Sequence, residues 1–542
     1  MSDVLKQISV LPKGWTRTTL ETVAIWGSGG TPSRKREDYF RGDIPWIKTG
    51  ELGSKFIRGS DEKVTKEAIE NSSAKIFPQG SVVIAMYGAT IGKTSILGIS
   101  ASSNQACAIA QPIKEVLFNE YLYYYLLSQT RKFIDLGKGG AQPNISQTIL
   151  KSYPILLPPL AEQQRIVDKI EELFSDLDNG IDSLKTAQRQ LKVYRQAVLK
   201  WAFEGKLTAQ WREEQQRQGK LESADTLLAK IKAERSKRYQ KELGIWQAEV
   251  EAWEANGKEG KKPRKPRKFN EPKITVEELP DLPKGWQWVF PEDICSPEDY
   301  SLAIGPFGSN LRVQDYRDSG KPLVFVRHIT KGDFNLDPKY VDEEKFEELK
   351  PHAIQPLDLL VTKMGDPPGD CEIYPIGREK AIITADCLKF RVWSDYVNRK
   401  LYKYCINSNL IKKQLGLITQ GVAQKKISLE RFKSLKFPLP STTEQERIVE
   451  EIESRLSICD RLEADIETNL KKAEALRQSI LKQAFEGKLV PQDPNDEPAS
   501  MLLERIRAER EAAKGSGKAK TRAKGKKKKP QPDEQTQLDL ST

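Results

Sequence analysis

The sequence predicts an α+β protein in which two mixed α/β domains alternate with two long helices that pair as an antiparallel coiled coil with pseudo-twofold symmetry. Two observations support this prediction. Three motifs occur twice, in the same order, along the 542 residues. The longest repeated segments place apolar residues at helical intervals of three and four, whereas the segments before them contain short apolar runs typical of strands.

Internal duplication organises the chain. The repeated motifs are Leu11-Pro-Lys-Gly-Trp15 and Leu282-Pro-Lys-Gly-Trp286, Glu162-Gln-Gln-Arg-Ile-Val167 and Glu444-Gln-Glu-Arg-Ile-Val449, and Ala202-Phe-Glu-Gly-Lys-Leu207 and Ala484-Phe-Glu-Gly-Lys-Leu489. Residues 158–207 align with their second copy without a gap, and about twenty of roughly fifty positions are identical. The segments 15–155 and 286–439 share only scattered residues. A repeated frame around dissimilar segments predicts two different binding domains in one symmetric scaffold.

Each repeated segment predicts one long amphipathic helix. The first apolar stripe ends before Gly205 and the second before Gly487, and glycine is typical of helix C-termini. The first stripe consists of Ile166, Ile170, Leu173, Leu177, Ile181, Leu184, Leu191, Tyr194 and Val198. At ~1.5 Å per residue each helix would be roughly 65 Å long. A narrow stripe needs a partner helix, so we expect antiparallel self-pairing. Two independent coiled coils, each meeting a separate protein, are the alternative.

Composition and patterning divide the chain into six segments. These are a mixed α/β domain (1–157), the first long helix (158–207), a charged helical insert with a basic linker (208–280), a second mixed α/β domain (281–439), the second long helix (440–489) and a short helix with a lysine-rich tail (490–542). Strands are predicted at 44–48, 81–86 and 106–110 and at 323–327, 358–362 and 388–392, and short helices at 119–128 and 397–408. Beyond residue 515 we expect disorder.

The composition favours a polyanionic partner and excludes several protein classes. The net charge of +12 has the sign expected of a nucleic-acid-binding protein. No apolar run approaches the roughly 18 residues of a membrane span, and residues 1–10 lack the apolar core of a signal peptide, so we expect a cytoplasmic protein without membrane contact. The six cysteines and two histidines are scattered, so we expect no zinc or iron–sulfur site.

Two segments resemble catalytic motifs without matching them, and two aspartates are candidates for nuclease chemistry. Tyr87-Gly-Ala-Thr-Ile-Gly-Lys-Thr94 has three residues between its glycines, whereas a phosphate-binding Walker loop needs four. Asp366-Pro-Pro-Gly369 has glycine where amino-methyltransferases carry an aromatic residue that stacks on a flipped base. Asp358 and Asp386 stay open as nuclease carboxylates, but the two halves share no catalytic constellation. We therefore predict a chain without a catalytic centre.

Several of these motifs resemble the specificity subunits of Type I restriction–modification systems. Gly29-Gly-Thr-Pro-Ser33, followed by Gly42-Asp-Ile-Pro-Trp-Ile-Lys-Thr-Gly50, resembles the opening of a target-recognition domain in that family. The repeated helix starts and ends resemble its spacer helices. The second domain departs from the pattern, with Gly305-Pro-Phe-Gly-Ser-Asn310 and Val326-Arg-His-Ile-Thr330 at the corresponding places. This departure suits a second domain that binds a different DNA half-site.

The resemblance implies a sequence-specific subunit in which each domain reads one half of a split target in double-stranded DNA. It also implies recruitment of two methyltransferase subunits and two restriction–translocase subunits. S-adenosylmethionine, ATP and magnesium would then belong to those partners, and this chain would hold no cofactor. Half-sites bound on one face of DNA lie about one helical turn apart, ~10 base pairs.

Polar and basic loop residues near the motifs are the candidates for DNA contact, because Arg and Lys can bind guanine or phosphate and Gln and Asn can bind adenine. The candidates are Ser33, Arg34, Lys48, Thr49, Lys93, Thr94, Gln142, Asn144, Ser309, Asn310, Arg312, Arg327, Lys363, Gln424, Lys425 and Lys426. The candidates for docking the methyltransferase subunits lie at the helix starts and are Glu162, Arg165, Glu444 and Arg447.

Two other functions stay open. A self-contained nuclease or DNA methyltransferase with duplicated binding domains would show turnover when the purified chain meets DNA, magnesium and a methyl donor. A helical scaffold that binds only protein would show no sequence-dependent binding to DNA.

Overall fold

The computed structural model describes residues 11–137, 143–266, 279–365, 368–419 and 425–508. The chain forms two compact units. The first unit combines Met1–Leu184 with Thr468–Thr542, and the second unit is Lys185–Glu467. Each unit therefore contains one α/β domain together with parts of both long helices.

The α/β domain of the first unit consists of two sheets and a terminal two-stranded ribbon. Its strands are β1 (Thr16–Thr19), β2 (Ala24–Ser28), β3 (Ile44–Ile47), β4 (Phe56–Ile57), β5 (Glu62–Val64), β6 (Val82–Ala85), β7 (Thr94–Leu97), β8 (Ser102–Ser103), β9 (Cys107–Pro112) and β10 (Pro154–Leu157). One sheet has the order β2-β9-β6-β7-β4 and the other β5-β3-β8. In the ribbon β1 pairs antiparallel with β10, so the strand after the first Gly-Trp motif meets the strand that leads into the first long helix.

Helix α3 joins this domain to the long helices. The helices are α1 (Leu20–Val23), α2 (Lys66–Glu70), α3 (Asn119–Ser128), α4 (Thr130–Leu136), α5 (Gln147–Ser152) and α6 (Leu160–Phe203). Tyr121 and Tyr125 of α3 pack edge-on against Phe485, and Tyr124 packs against Phe174. Aromatic rings from one short helix therefore contact both long helices, and these contacts bury a large apolar area.

The second unit begins within α6 and continues with α7 (Ala209–Arg217) and α8 (Ala224–Ala255). Its strands are β11 (Gln287–Val289), β12 (Leu302–Ile304), β13 (Lys321–Val324), β14 (Tyr340–Val341), β15 (Ala353–Ile354), β16 (Leu359–Thr362), β17 (Cys371–Ile373), β18 (Ala381–Ile383), β19 (Cys387–Phe390) and β20 (Phe437–Leu439). Its other helices are α9 (Pro291–Ile294), α10 (Val326–Lys331), α11 (Glu343–Glu348), α12 (Arg399–Asn407), α13 (Asn409–Thr419), α14 (Leu429–Lys433) and α15 (Thr442–Phe485). The sheets have the orders β12-β19-β16-β17 and β14-β13-β18-β15, and β11 pairs with β20.

The two α/β domains follow one strand plan despite their dissimilar sequences. β3 pairs antiparallel with β5 and parallel with β8. In the same way β13 pairs antiparallel with β14 and parallel with β18. The ribbon of β11 and β20 corresponds to that of β1 and β10. The duplication inferred from the motifs therefore extends through the domains whose sequences have diverged.

The long helices pair antiparallel within the first unit. Arg477 of α15 bonds to Asp178 of α6. Arg165, nearer the start of α6, bonds at 2.6 Å to Asp496, which lies beyond the end of α15. The partner number thus rises as the α6 number falls, which is the antiparallel direction.

The second unit contains the other part of the same pairing. Arg195 of α6 lies 2.6 Å from Asp460 of α15, and Thr208, just past α6, lies 2.7 Å from Glu444 near the start of α15. Both long helices have 44 residues, and each ends two residues before the predicted glycine. The predicted helices and their antiparallel pairing are confirmed.

One predicted strand is shorter than expected. Residues 323–327 were predicted as extended, but β13 ends at Val324 and α10 begins at Val326. The backbone N–H of Phe325 donates to Nδ1 of His328 at 3.2 Å. This side-chain cap stabilises a helix start and overrides the strand propensity of the β-branched residues.

Across the described ranges, no helix combines the length and apolarity of a membrane span.

Candidate nucleic-acid interface

Three candidate loops of the first unit emerge at one end of its sheets. Ser28, which ends β2, and Ile84 of β6 both pair with Ala108 of β9. Ile47, which ends β3, pairs with Ser103 of β8, and β8 leads directly into β9. The loops 29–36, 48–54 and 86–93 therefore leave the same end, which we call the contact end of the first unit.

The second unit repeats this arrangement. Ile304, which ends β12, and Val361 of β16 both pair with Leu388 of β19. Val324, which ends β13, pairs with Ile383 of β18. The segments 305–312, 325–331, 363–365 and 368–370 therefore form the contact end of the second unit.

A further segment joins each contact end from far along the chain. Asn144 bridges Tyr87 in the first unit, and Lys426 bridges Met364 in the second. Asn144 and Lys426 are both exposed. The two side chains thus occupy equivalent positions in the two units, one an amide and the other a cation, as expected of loops that contact different bases.

A pair of cations shares one carboxylate at the first contact end. Arg34 Nη1 lies 2.6 Å from Glu62 Oε2, and Lys48 Nζ lies 2.9 Å from Glu62 Oε1. The Arg34 guanidinium also lies over the rings of Phe40 and Trp46, 4.2 and 5.0 Å from their centroids. Hydrogen bonds from the two cations lower the pKa of Glu62, and Glu62 raises that of Lys48. Both cations are therefore held in place at the first contact end, as candidates for binding phosphate or a guanine edge.

The other candidates of the first unit differ in accessibility. Ser33 and Lys93 are exposed, and Thr49 is half-buried. Gln142 lies outside the described residues. Thr94 is only 2% exposed, and its hydroxyl donates to the carbonyl of Gly92 at 3.0 Å. Thr94 is the first residue of β7 and lies inside the sheet, so we do not propose it as a DNA contact.

Replacing Thr94 with valine is therefore expected to leave DNA affinity within about twofold of the wild-type value, because the buried hydroxyl has only a local partner. Removing the exposed Lys93 side chain by Lys93→Ala should weaken binding several-fold. Equilibrium titration of both variants with DNA measures the difference, and equal losses in the two would contradict this assignment.

The second contact end presents several exposed polar side chains in the segment 305–312. Ser309, Asn310 and Arg312 are all exposed. The backbone N–H of Arg312 donates to Asp315 Oδ2 at 2.7 Å. That bond fixes the backbone and leaves the guanidinium at the surface, where it can bind DNA.

The remaining candidates of the second unit are more constrained. Arg327 Nη2 donates to the carbonyl of Asp337 at 2.7 Å. Lys363 Nζ donates to the carbonyl of Ala385 at 2.7 Å, and burial lowers its pKa. Lys425 and Lys426 are exposed, and Gln424 lies outside the described residues. Lys425 and Lys426 are therefore better placed for phosphate than Lys363.

The candidate catalytic residues do not have the arrangement that their motifs need where they are described. The loop 86–93 runs from β6 into the antiparallel strand β7, whereas a phosphate-binding loop leads into a helix. Asp358 is buried, and both its oxygens bond to Arg391, at 2.7 and 2.8 Å. Asp366 and Pro367 lie outside the described residues. Within the described part of the chain, no group of three His, Cys, Asp or Glu side chains could hold a metal ion.

The protonation of His328 is expected to make the stability of the second unit depend on pH. Its Nδ1 accepts from the Phe325 N–H at 3.2 Å, so Nε2, 2.8 Å from the carbonyl of Leu336, is the protonated donor of a neutral ring. Burial lowers its pKa. The folded state therefore favours the neutral ring. The contribution of this ring to the free energy of unfolding is fully present above the unfolded pKa of about 6.5 and is lost as the pH falls below that value.

We accordingly expect the melting temperature of the second unit to fall as pH decreases from about 7.5 to about 5, where the unfolded ring gains its proton. The melting temperature of His328→Gln should fall less steeply with decreasing pH, because glutamine can still accept and donate hydrogen bonds but does not titrate. Calorimetry across this range gives the two slopes, and equal slopes would argue against a role for His328.

The predicted docking residue Glu162 lies inside the first unit. It is buried, burial raises its pKa, and Gln492 Nε2 donates to it at 3.4 Å. The neighbouring Gln163 is also buried and accepts from the N–H of Phe118 at 2.8 Å. Arg165 is partly exposed and bonds to Asp496. The start of α6 therefore contacts the residue before α3 and the segment that follows α15. We call this set of contacts the joint of the first unit.

The second unit builds the same joint around the second copies of the Glu-Gln helix start and the Leu-Pro-Lys-Gly-Trp motif. Glu444 is buried and accepts from Trp286 Nε1 at 2.8 Å and from Arg212 Nη2 at 2.7 Å. Gln445 accepts from the N–H of Asn398 at 2.8 Å. These contacts leave Glu444 no surface for a partner. The exposed Arg447 pairs on its own helix with Glu450 and Glu451.

Glycine completes both joints. Gly487 and Gly205 each have a φ of +69°, and a Cβ would lie 2.4 Å from Pro12 at the first and 2.3 Å from Pro283 at the second. The end of α15 thus packs on the first Leu-Pro-Lys-Gly-Trp motif and the end of α6 on the second. The three repeated motifs therefore form one joint, built once in each unit.

The comparisons with known proteins agree with this architecture. The family model described as "Type I restriction modification DNA specificity domain" matches residues 12–191 and 371–472. The specificity subunit of the Type I restriction enzyme EcoKI of Escherichia coli (strain K12) is 24% identical over 529 residues, covering 93% of this chain and 97% of that protein. The specificity subunit of EcoDI of Escherichia coli is 22% identical over 500 residues, covering 87% and 97%.

A solved structure has a similar fold. It is described as the structural basis underlying complex assembly and conformational transition of the type I R-M system. It aligns with a TM-score of 0.58 at 17% sequence identity, covering 88% of this chain and 99% of that chain. At this identity the likeness concerns the fold alone.

Proposed function

Because the chain belongs to the family of Type I restriction–modification DNA specificity subunits, we propose that its two units each read one half of a split target in double-stranded DNA. As a specificity subunit, the chain is the non-catalytic, DNA-recognising component of its system. The observation that carries the two-half proposal is the repeated contact end, which has the same strand plan but different loop residues in each unit. One plan with two sets of side chains suits two different half-sites.

The cations of the first contact end and the lysines of the second support DNA binding. Contacts to phosphate would position each unit on the duplex, and contacts to base edges would select the sequence. The proposed contacts are Ser33, Arg34, Lys48, Thr49, Lys93, Gln142, Asn144, Ser309, Asn310, Arg312, Arg327, Lys363, Gln424, Lys425 and Lys426.

We also propose that the chain recruits two methyltransferase subunits and two restriction–translocase subunits in the cytoplasm. S-adenosylmethionine, ATP and magnesium would be held by those partners. Exposed apolar residues on the long helices support protein docking there, since such residues mark interaction surfaces. They are Val193, Ile458, Leu462 and Leu476.

Selection from random DNA tests the proposal. The full chain in complex with its methyltransferase is expected to enrich fragments that carry two short sequences at a fixed separation. The purified chain alone, given DNA, magnesium and a methyl donor, is expected to show no turnover. Turnover would favour a self-contained enzyme, and the absence of sequence enrichment would favour a scaffold that binds only protein.

A further inference from the structure

Phe307 is an exposed aromatic residue in a loop that otherwise carries groups suited to DNA. Its side chain is 71% exposed, and the exposed Ser309, Asn310 and Arg312 follow it in the same loop. No aromatic side chain in the described ranges is more exposed. Single exposed apolar side chains are common on protein surfaces, so the informative feature is the position of this ring at a contact end among polar and basic groups, which points to burial against a ligand.

The loop holds this ring on a fixed turn. The N–H of Gly305 donates to the carbonyl of Cys387 at 3.0 Å, and the N–H of Asn310 donates to the carbonyl of Phe307 at 2.8 Å. Leu311 is buried in a small core with Leu323 and Val341. The chain is therefore anchored on both sides of Phe307, so the ring needs little ordering when it meets a partner.

The corresponding loop of the first unit has no exposed aromatic ring, although Tyr87 in the loop 86–93 of the same contact end is 43% exposed. Its corresponding loop, residues 29–36, carries Thr31 and Pro32 before Ser33, and Pro32 is buried. No large apolar side chain of that loop is exposed. An exposed aromatic ring at this loop position therefore belongs to the second unit, and the effect of Phe307 on DNA should be confined to one half-site.

Resting on the proposed function, we propose that Phe307 inserts between two neighbouring base pairs of the half-site read by the second unit. Apolar side chains that wedge into a base step unstack it and kink the duplex. Ser309, Asn310 and Arg312 would bind the phosphates or base edges beside the opened step. Pyrimidine–purine steps unstack most readily, so we expect such a step at this position.

The test uses the full chain in complex with its methyltransferase, on a target first established by methylation mapping. Failure of the proposed function would therefore be recognised before this experiment begins. Phe307→Ala is expected to weaken target binding about tenfold, the effect of losing one aromatic contact with a base. Phe307→Trp should bind within about threefold of wild type because its ring can still insert. A 2-aminopurine base at the wedged step, away from the methylated base, should brighten with wild type and Phe307→Trp but not with Phe307→Ala.

Ile376→Ala is the matched control. Ile376 is 78% exposed and lies between β17 and β18, at the opposite end of the sheet, because Ile373 pairs with the first residue of β16. This variant is expected to match wild type in affinity and fluorescence. Wild-type behaviour of Phe307→Ala would overturn the proposal. So would weaker binding with unchanged fluorescence, or loss of the methyltransferase from the complex, which would assign the ring to a protein contact.

Discussion

Replacing Glu444 with alanine is expected to lower the free energy of unfolding of the second unit by about 3–5 kcal/mol, the usual cost of breaking a buried ion pair. Glu444 is 1% exposed, and the Arg212 side chain that bonds to it is 13% exposed. Without the carboxylate, the Arg212 guanidinium and the Trp286 N–H lose their acceptor in a place that water hardly reaches. Since ~2–4 °C are lost per kcal/mol in a domain of this size class, the melting temperature should fall roughly 10 °C.

Differential scanning calorimetry of the full chain measures this effect. Arg447→Ala is the matched control, because Arg447 lies on the same helical turn but pairs only at the surface. Arg447→Ala should lower the free energy of unfolding by no more than about 0.5 kcal/mol. The loss in the free energy of unfolding of Glu444→Gln should lie between those of Glu444→Ala and Arg447→Ala, because the amide can still accept from Trp286 but cannot neutralise Arg212. Equal losses in Glu444→Ala and Arg447→Ala would contradict the role of the joint.

The double variant Arg34→Ala, Lys48→Ala is expected to lose about 100-fold in affinity for target DNA, as contacts of this kind contribute about 1–3 kcal/mol each. If both cations bind phosphates, the slope of log K against log salt should also fall in magnitude by about 2. The preference at the second half-site should stay as in wild type, because these residues belong to the first unit alone.

Titrations at several salt concentrations measure both quantities. The matched control is Arg41→Ala with Lys66→Ala, which removes the same charge from two exposed residues. Arg41 precedes β3 and Lys66 follows β5, whose Val64 pairs with the first residue of β3, so both lie away from the contact end. This control should lose little affinity. A control loss as large as that of Arg34→Ala, Lys48→Ala would show that only net charge matters.

Some of the architecture could be predicted because its signals are local. The long helices follow from apolar spacing and from Gly205 and Gly487, and the residues that decide their ends lie within one turn. Helix α3 was predicted at its observed bounds, Asn119–Ser128. The boundary between β13 and α10 was wrong because a single side chain, His328, caps the helix, and strand propensity carries no sign of that bond.

The joints could not be predicted because their partners lie far apart in the chain. Arg212 and Glu444 are separated by 232 residues, and only the antiparallel pairing of the helices brings them together. The Glu-Gln helix starts were predicted as docking surface because charged residues are usually exposed. Their burial beside Trp286 and Phe118 depends on contacts that no sequence pattern reports.

The contact ends could be predicted in part. Loops beside the recognised motifs do gather at one end of each sheet, but the exposure of single residues follows from where a strand begins. Thr94 was assigned to a loop because glycines surround it, and β7 begins at that residue. Phe307 was missed, although it lies between Pro306 and Gly308 in a segment typical of a surface turn.

The proposed function requires that the two units each read one half of a single target. Its most direct test is co-expression of the chain with its methyltransferase, followed by mapping of methylated adenines on a random DNA library. We expect a split motif with a fixed, unread gap, and replacing residues 11–155 with the same segment of a relative should change one half only. A continuous motif, or a change in both halves after the replacement, would contradict it.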